Sequence, residues 1–317
     1  MKFKRPLLTG PQFINWNYTY RCNFQCHHCY SRADSYPDEL STEQYLGIVD
    51  QLVEAQVFQV ALGGGEVLLR GDCTTILSRL SSAGVQTMLT TNGWFVDDTW
   101  AKRLRDAGLG ELNVSLDSPD AAIHDAFRDR PGSFDRVLRC LEATRDVGYD
   151  VLLSVVLTRI NVRDLERLVE IAARYGVRGV HFKRFRPSGN GLRNRERYEL
   201  SDAEGAEIGA TVERLRQAGG PRVNLSFGPE AGPTDAGCGC GISALALRPN
   251  GDVAPCVYGD VVLGNLTSSR LIELWRSSPE LAAMRAAGGC IGRNAAVAPS
   301  NPRSEPKLVA LQLAVTS

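Results

Sequence analysis

The chain has 317 residues, with 36 Lys plus Arg balanced by 36 Asp plus Glu, and 43% of it is hydrophobic. That length and apolar content support a sizeable core and exclude a disordered chain, and the missing basic surplus argues against a nucleic-acid partner. No apolar run approaches the roughly 20 residues of a membrane span, and the basic start lacks an apolar signal segment, so no membrane association is read and a cytoplasmic protein is expected.

In chain order, a strand is expected over 13–20, a helix over 42–56 and an apolar strand over 57–62 that ends in Gly63, Gly64 and Gly65. A helix over 74–83 and a strand over 85–91 follow, the latter closed by Asn92 and Gly93. Then come a helix over 98–107, a strand over 112–116, a helix over 134–147, a strand over 151–157, a helix over 162–175 and a strand over 177–185. Six strands with intervening helices are the pattern of a parallel sheet or barrel. Eight such units make a closed barrel, so the expected fold is α/β, a partial (β/α)6 TIM barrel. Residues 188–197 read as a Gly-, Asn- and Arg-rich loop, and Ser201 starts a helix to about 217. Near Pro221 a second, smaller α+β region begins, with a hairpin at Asn250-Gly251 and one amphipathic helix over 271–287. The expected division is 1–220 for the barrel, 221–290 for the extension and 291–317 for a tail of little periodicity, a candidate for disorder.

Nine cysteines sit on this framework. A reducing compartment disfavours disulfides, and an odd number cannot all pair. Cys22, Cys26 and Cys29 follow the first strand with Cys-x3-Cys-x2-Cys spacing, and Cys238, Cys240, Cys256 and Cys290 lie in the last quarter. Three thiolates on a short loop can hold three irons of a 4Fe–4S cube and leave the fourth iron open. The alternative is a zinc site, with His27 or His28 as a further ligand. Cys73 and Cys140 stand alone and read as small buried hydrophobes, with Cys73 the better candidate for a hydrogen-atom donor.

The loop from Trp16 to Tyr30 resembles the radical S-adenosylmethionine (SAM) superfamily, with His28 where the family usually has an aromatic and Tyr30 following the last Cys. The resemblance continues along the barrel, over 13–189. Gly64, Gly65, Glu66 and Val67 resemble the family's Gly-Gly-Glu-Pro, Thr91 to Gly93 its Thr-Asn-Gly strand end, and His124 to Arg128 its His-Asp-x-x-Arg. This implies SAM contacts from Tyr30, Gly64, Gly65, Glu66, Asn92, Ser115, Asp117 and Arg128, with Glu66 on the ammonium and Arg128 on the carboxylate. Arg186 to Gly189 resembles a segment near the adenine. Taken singly, Asp117 and Arg128 are more often ordinary surface ions, and Glu66 reads as a solvated turn residue. The implied cofactors are SAM, whose reductive cleavage releases a 5′-deoxyadenosyl radical, and the 4Fe–4S cluster that binds it, fed by an external one-electron donor of flavodoxin or ferredoxin type.

The stretch from Asn250 to Cys256, with Leu263 to Leu266 and Leu271 to Trp275, resembles the SPASM/twitch extension of that superfamily. Four cysteines suffice for one auxiliary 4Fe–4S cluster and not two, although Cys240 stands close to Cys238 for two ligands of one cube. Residues 1–21 make too short an arm for the recognition domain of many peptide modifiers. The expected activity is therefore oxidation or epimerisation of an alcohol carbon of a small molecule, an amino sugar or aminocyclitol, in natural-product (antibiotic) biosynthesis. Asp252 and Asp260, flanking Cys256, are candidate bases. The alternatives are a maturase of a ribosomally made peptide and a non-enzymatic iron–sulfur carrier or sensor. The oligomeric state is left open.

Overall fold

The computed structural model describes residues 8–32, 36–226 and 239–287. Two of the C-terminal cysteines, Cys238 and Cys290, and the tail 291–317 lie outside the described residues. β1 (Phe13–Thr19) turns Ile14, Trp16 and Tyr18 to one side, where all three are fully buried. α1 (Thr42–Glu54) covers that side with Tyr45, Ile48, Val49 and Leu52, and starts at a capping box between Ser41 and Gln44. The alternation continues through β2 (Gln59–Gly64), α2 (Cys73–Ser82), β3 (Gln86–Thr91), α3 (Asp98–Asp106) and β4 (Glu111–Ser115). Two helices, α4 (Ala121–Arg128) and α5 (Ser133–Asp146), lead to β5 (Val151–Leu157). α6 (Leu165–Arg174) and β6 (Gly179–Arg184) follow, then α7 (Asn190–Arg193), α8 (Arg195–Tyr198), α9 (Asp202–Gln217) and β7 (Arg222–Ser226). The extension adds β8 (Ala244–Leu247), β9 (Asp252–Ala254), β10 (Gly264–Asn265), α10 (Leu271–Ser277) and α11 (Pro279–Ala286).

All ten strands form one sheet, ordered β10-β9-β8-β1-β2-β3-β4-β5-β6-β7. β1 through β7 are parallel in sequence order, and β8 adds to β1 in parallel, pairing Phe13 with Ala244 and Trp16 with Leu247. The helix-facing side carries the apolar core. The other side is polar. Asn17 pairs with Gly63, Thr90 with Asn113, Ser115 with Ser154, and Val156 with Lys183. A closed barrel fills its interior with branched apolar side chains. Small and polar residues at these positions leave a cavity instead.

Four expectations are corrected. β7 pairs with β6, so the barrel sheet has a seventh parallel strand and extends past the expected boundary at 220. The 188–197 loop contains the single-turn helices α7 and α8. α4 is a helix of its own, capped by the Asp120 carboxylate, which accepts from the Ala122 and Ile123 amides. The single helix over 271–287 is two, because Pro279 cannot continue a helix and starts α11 instead, with Ser278 as its cap. No helix among the described residues is long and apolar enough to cross a membrane.

Candidate active site

A cavity of about 410 Å³ opens at the C-terminal ends of the parallel strands. Cys22, Cys26, Cys29 and Tyr30 line it from the loop after β1, and Gly63 to Glu66, Asn92, Ser115 and Arg128 from the strand ends beyond. Cys240, Cys256 and Tyr258 line it from the extension, because β8 adds to the free edge of β1. Two cysteine groups that are remote in sequence thus share one cavity.

The first cysteine loop is held from three directions. Glu39 accepts from the Thr19 hydroxyl (2.6 Å) and the Tyr20 amide (2.8 Å). Arg70 pairs with Glu39 at 3.2 Å and with Asp72 at 2.6 Å, and its guanidinium lies 4.3 Å from the Tyr45 ring centre. On the opposite side, Asn190 donates to the Cys26 carbonyl (2.9 Å) and Asn194 to the His27 carbonyl (3.1 Å). The two amides stand one helical turn apart, and Gly189 before them has φ +55° against the Tyr30 and Cys29 carbonyls. Third, His28 stacks on Phe127, centroids 4.3 Å apart, while His27 shares a 2.8 Å hydrogen bond with the Tyr198 hydroxyl and donates its amide to Phe127. His27 is thus engaged with Tyr198, while His28 lines the cavity beside the cysteines.

The Gly-Gly-Glu turn is stitched to the same loop. The Gly65 amide donates to Thr19 O (2.7 Å) and the Glu66 amide to Arg21 O (2.9 Å). Gly64 has φ +101° and offers its carbonyl to the Ser31 hydroxyl (3.0 Å). A Cβ on Gly65 would run into the Arg21 carbonyl. The Glu66 carboxylate accepts from the Thr91 hydroxyl (2.9 Å) and the Asn92 amide (2.8 Å), which ties the end of β2 to the end of β3. Burial pushes this carboxyl up to about 6, against those hydrogen bonds. The Asn92 side chain donates to Asn23 (2.8 Å), a further link to the cysteine loop.

Arg128 lines the cavity and is clamped by Asp117, with Nε at 2.8 Å and Nη2 at 2.7 Å from Oδ2. Asp117 also accepts from the Val156 amide (2.8 Å). Burial alone would raise the Asp117 carboxyl, yet Arg128, His28 and His124 hold it below the usual carboxylate range. Asp117 is not among the cavity-lining residues, so its expected direct contact is corrected to a positioning role through Arg128. Burial pushes the Cys22 thiol up to about 11 and Cys26 up to about 12. Thiols so placed become thiolates when positive charge such as iron is bound to them.

The three candidate catalytic residues lie elsewhere. Cys73 is fully buried in the core cluster under α2, outside the cavity lining, where burial raises its thiol to about 12. Asp252 accepts from Asn250 (2.8 Å) and Asn265 (2.9 Å), which closes the hairpin, and Asp260 is exposed on the loop beyond. Neither lines the cavity.

Lys183, Arg184, Arg186 and Arg128 line the cavity, against the single carboxylate of Glu66. Lys183 and Arg186 make no ion pair among the described residues, and burial lowers the Lys183 ammonium, with Asp117 and Glu111 opposing. Arg186 lies 5.4 Å from the Tyr258 ring centre, and Tyr258 packs on Tyr30 at 5.1 Å, so an aromatic wall joins the extension to the barrel. The Asn190/Asn194 pair, the Glu39–Arg70–Asp72 network and Tyr258 are absent from the expected site. Of these only the amide spacing was a sequence signal, since two Asn one turn apart share a helix face.

Residues 16–172 match the family model described as the radical SAM superfamily, and residues 238–297 match an iron–sulfur cluster-binding domain, SPASM. The chain is 33% identical over 305 residues to the mycofactocin maturase MftC of Mycolicibacterium smegmatis, covering 89% of this chain and 75% of that protein. It is 26% identical over 290 residues to an AdoMet-dependent heme synthase of Nitratidesulfovibrio vulgaris, covering 84% and 79%. Among solved structures, Streptococcus suis SuiB bound to S-adenosylmethionine superposes with a TM-score of 0.76 at 16% identity, covering 88% of this chain and 69% of that one. SuiB bound to its precursor peptide SuiA superposes at 0.75 and 15%, covering 88% and 68%.

Proposed function

The chain belongs to the radical SAM superfamily and carries a SPASM-type iron–sulfur domain, and from that premise we propose that it is a maturase of a ribosomally made peptide. The observation that carries the peptide reading is the charge of the cavity. Arg128 is matched by Asp117 and Arg184 lies 3.5 Å from Asp202, which leaves Lys183 and Arg186, without an ion pair among the described residues, facing the carboxylate of Glu66. An aminocyclitol or amino sugar brings an ammonium group, which such a lining repels. A peptide segment brings neutral amides and carboxylates. The amino-sugar expectation therefore yields to the alternative held beside it. The names of the relatives support the same reading, since MftC is named a mycofactocin maturase and SuiB was captured with a precursor peptide.

The residues suit the cofactors of the family. Cys22, Cys26 and Cys29 would hold the SAM-binding 4Fe–4S cluster, and Cys238, Cys240, Cys256 and Cys290 one auxiliary cluster. A Cβ at Gly63 would meet nothing within 4 Å, so the end of β2 is pared back to leave open space beside the cysteines. His28 Nδ1 and Asn23 Nδ2, both on the cysteine loop, are buried without a partner. When bound, the cluster and SAM together supply a 5′-deoxyadenosyl radical able to take a hydrogen atom from an unactivated carbon. The protein's part is placement. Gly64, Gly65 and Glu66 present backbone and carboxylate to the SAM ammonium. Arg128, oriented by Asp117, faces the SAM carboxylate with Ser115 beside it, and Asn92 ties that edge to the cluster loop. Tyr30 and Tyr258 wall the cavity from water on the side of the extension.

The test is anaerobic reconstitution, followed by incubation with SAM, dithionite and a short peptide encoded beside the gene. Formation of 5′-deoxyadenosine with a mass change in the peptide supports the reading. Absence of 5′-deoxyadenosine defeats the radical chemistry, and its formation with an amino sugar consumed and every such peptide untouched defeats the peptide substrate.

A further inference from the structure

The register of the sheet sets Lys183 apart from the strand-end residues given to SAM. Ser115 pairs with Ser154 and Ser154 with His181, so Ser115 lies level with His181. Lys183 is two residues further along β6 and pairs with Val156, about 7 Å nearer the C-terminal strand ends. Val180 and Phe182, which alternate with it, are buried in the core under the helices, so Lys183 points to the cavity. It is half-buried there, and its ammonium makes no hydrogen bond and no ion pair among the described residues. Asp117 and Glu111 are the acids whose charge reaches it, and both are committed elsewhere, Asp117 to Arg128 at 2.7 Å and Glu111 to Arg178 at 2.9 Å. Three residues on, Arg186 lines the same cavity beside the Tyr258 ring, also without an acidic partner among the described residues. The neighbouring lining from β5, Ser154 and Val156, is neutral. Withdrawing an ammonium from water without a countercharge costs folding free energy. Nothing on the neighbouring strands offsets that cost, so the compensating charge is brought by a molecule that enters the cavity.

We infer that Lys183 and Arg186 form a subsite for a carboxylate of the substrate and decide which peptides are held in the cavity. The inference rests on the peptide reading above and adds which group of the peptide is gripped. A carboxylate has two acceptor oxygens, so it can take N–H groups from the compact ammonium and from the guanidinium fork at once. The Tyr258 ring, 5.4 Å from the Arg186 guanidinium, favours the charged group at that place without using up its N–H edges. SAM brings a carboxylate of its own, for which Arg128 and Ser115 are already in place. The carboxylate at Lys183 belongs either to the C-terminus of the peptide or to an Asp or Glu side chain within it, since both present the same oxygens.

The experiment uses reconstituted protein and the peptide encoded beside the gene in three forms: the free acid, the C-terminal amide, and a version with each Asp and Glu changed to Asn and Gln. Binding is measured by equilibrium titration with SAM present and no reductant, for wild type, Lys183→Met, Arg186→Gln and Arg186→Lys. With wild type, one of the two neutralised peptides is expected to bind at least about tenfold more weakly than the free acid, and which one does so identifies the source of the carboxylate. Lys183→Met and Arg186→Gln are each expected to lose most of that preference, and Arg186→Lys to keep part of it. Equal binding of all three peptides by wild type overturns the subsite, and so does the full preference in Lys183→Met. Loss of SAM binding in Lys183→Met also overturns it, because the ammonium then serves the cofactor. Loss of iron in Arg186→Gln overturns it as well, because that guanidinium then serves a cluster. If no form of the peptide binds wild type, the peptide reading fails, and the subsite is tested by itself. Excess N-acetylalanine is then expected to slow the acylation of Lys183 by an N-hydroxysuccinimide ester, read by peptide mass mapping, and N-acetylalaninamide to leave it unchanged. Equal acylation with the two compounds overturns the carboxylate subsite.

Discussion

Glu66 and Asp117 are two buried carboxylates with opposite electrostatics. Burial outweighs both the hydrogen-bond donors around Glu66 and the Arg128 charge, so its carboxyl rises from the ordinary 4.5 to about 6. A group raised in this way contributes stability that is complete below about 4.5 and lost as pH climbs through about 6. Glu66→Gln removes that titration. Its stability relative to wild type should therefore increase by about 2 kcal/mol between pH 4.5 and pH 7 in urea denaturation of the cofactor-free protein. A constant offset across the range would refute the assignment. Asp117 has Arg128 against it, and both side chains are nearly inaccessible, 1% and 7% exposed. Asp117→Asn leaves the guanidinium buried without its countercharge, with an expected cost of about 3–5 kcal/mol and a weakened affinity for SAM in equilibrium binding. At this scale the sequence was informative about residue type and weak about partner. Glu66 and Arg128 were legible only through the resemblance of their motifs to the family's, since taken singly each reads as a solvated ion. That Asp117 serves Arg128 was not, because eleven residues and a helix start separate them.

Single elements show where local pattern suffices. Strands β1 to β6 follow from apolar runs bounded by Gly, Asn and Asp, and α1 from its capping box. The misses have local causes too. α7 and α8 are single turns held by tertiary contacts, and a window rich in Gly, Asn and Arg carries no hydrophobic period. At Ser278-Pro279 the apolar period runs on unbroken, yet Ser278 caps a new helix and Pro279 starts it. The tightest element junction is the Gly-Gly-Glu turn, where β2 leaves the sheet against the Tyr20–Arg21 backbone. Gly65→Ala places a methyl group on the Arg21 carbonyl. The expected result is a loss of about 1–3 kcal/mol in thermal or urea unfolding, together with reduced iron loading of the first cluster, because the displaced backbone leads directly into Cys22. Full iron content with unchanged stability would show that the turn has room to relax.

For the whole molecule, the central fact is that the barrel is not closed on itself. Its free β1 edge takes up β8, which brings Cys240, Cys256 and Tyr258 to the cavity already lined by the first three cysteines. If each group holds one cube, reconstituted protein contains about eight irons per chain. Cys256→Ala should lower that to about four while SAM binding is retained, and Cys26→Ala should lower it likewise while SAM binding is lost. Equal iron in wild type and Cys256→Ala would remove the auxiliary cluster from the extension.

The sequence by itself determined the class of fold, the family and the cysteine loop proposed to bear the cluster. Each is written in local order: strand, turn and helix periods, and ligand spacing within one short loop. Only the tertiary structure decided which groups share a space. It took Cys73, Asp252 and Asp260 out of the site, set Asp117 behind Arg128, and gathered Lys183, Arg184 and Arg186 around a cavity with a single carboxylate. The physical reason is that charge balance and burial depend on neighbours from distant strands. A chain that is neutral as a whole can therefore enclose a cavity that is not, and the sign of that cavity argues for the substrate class.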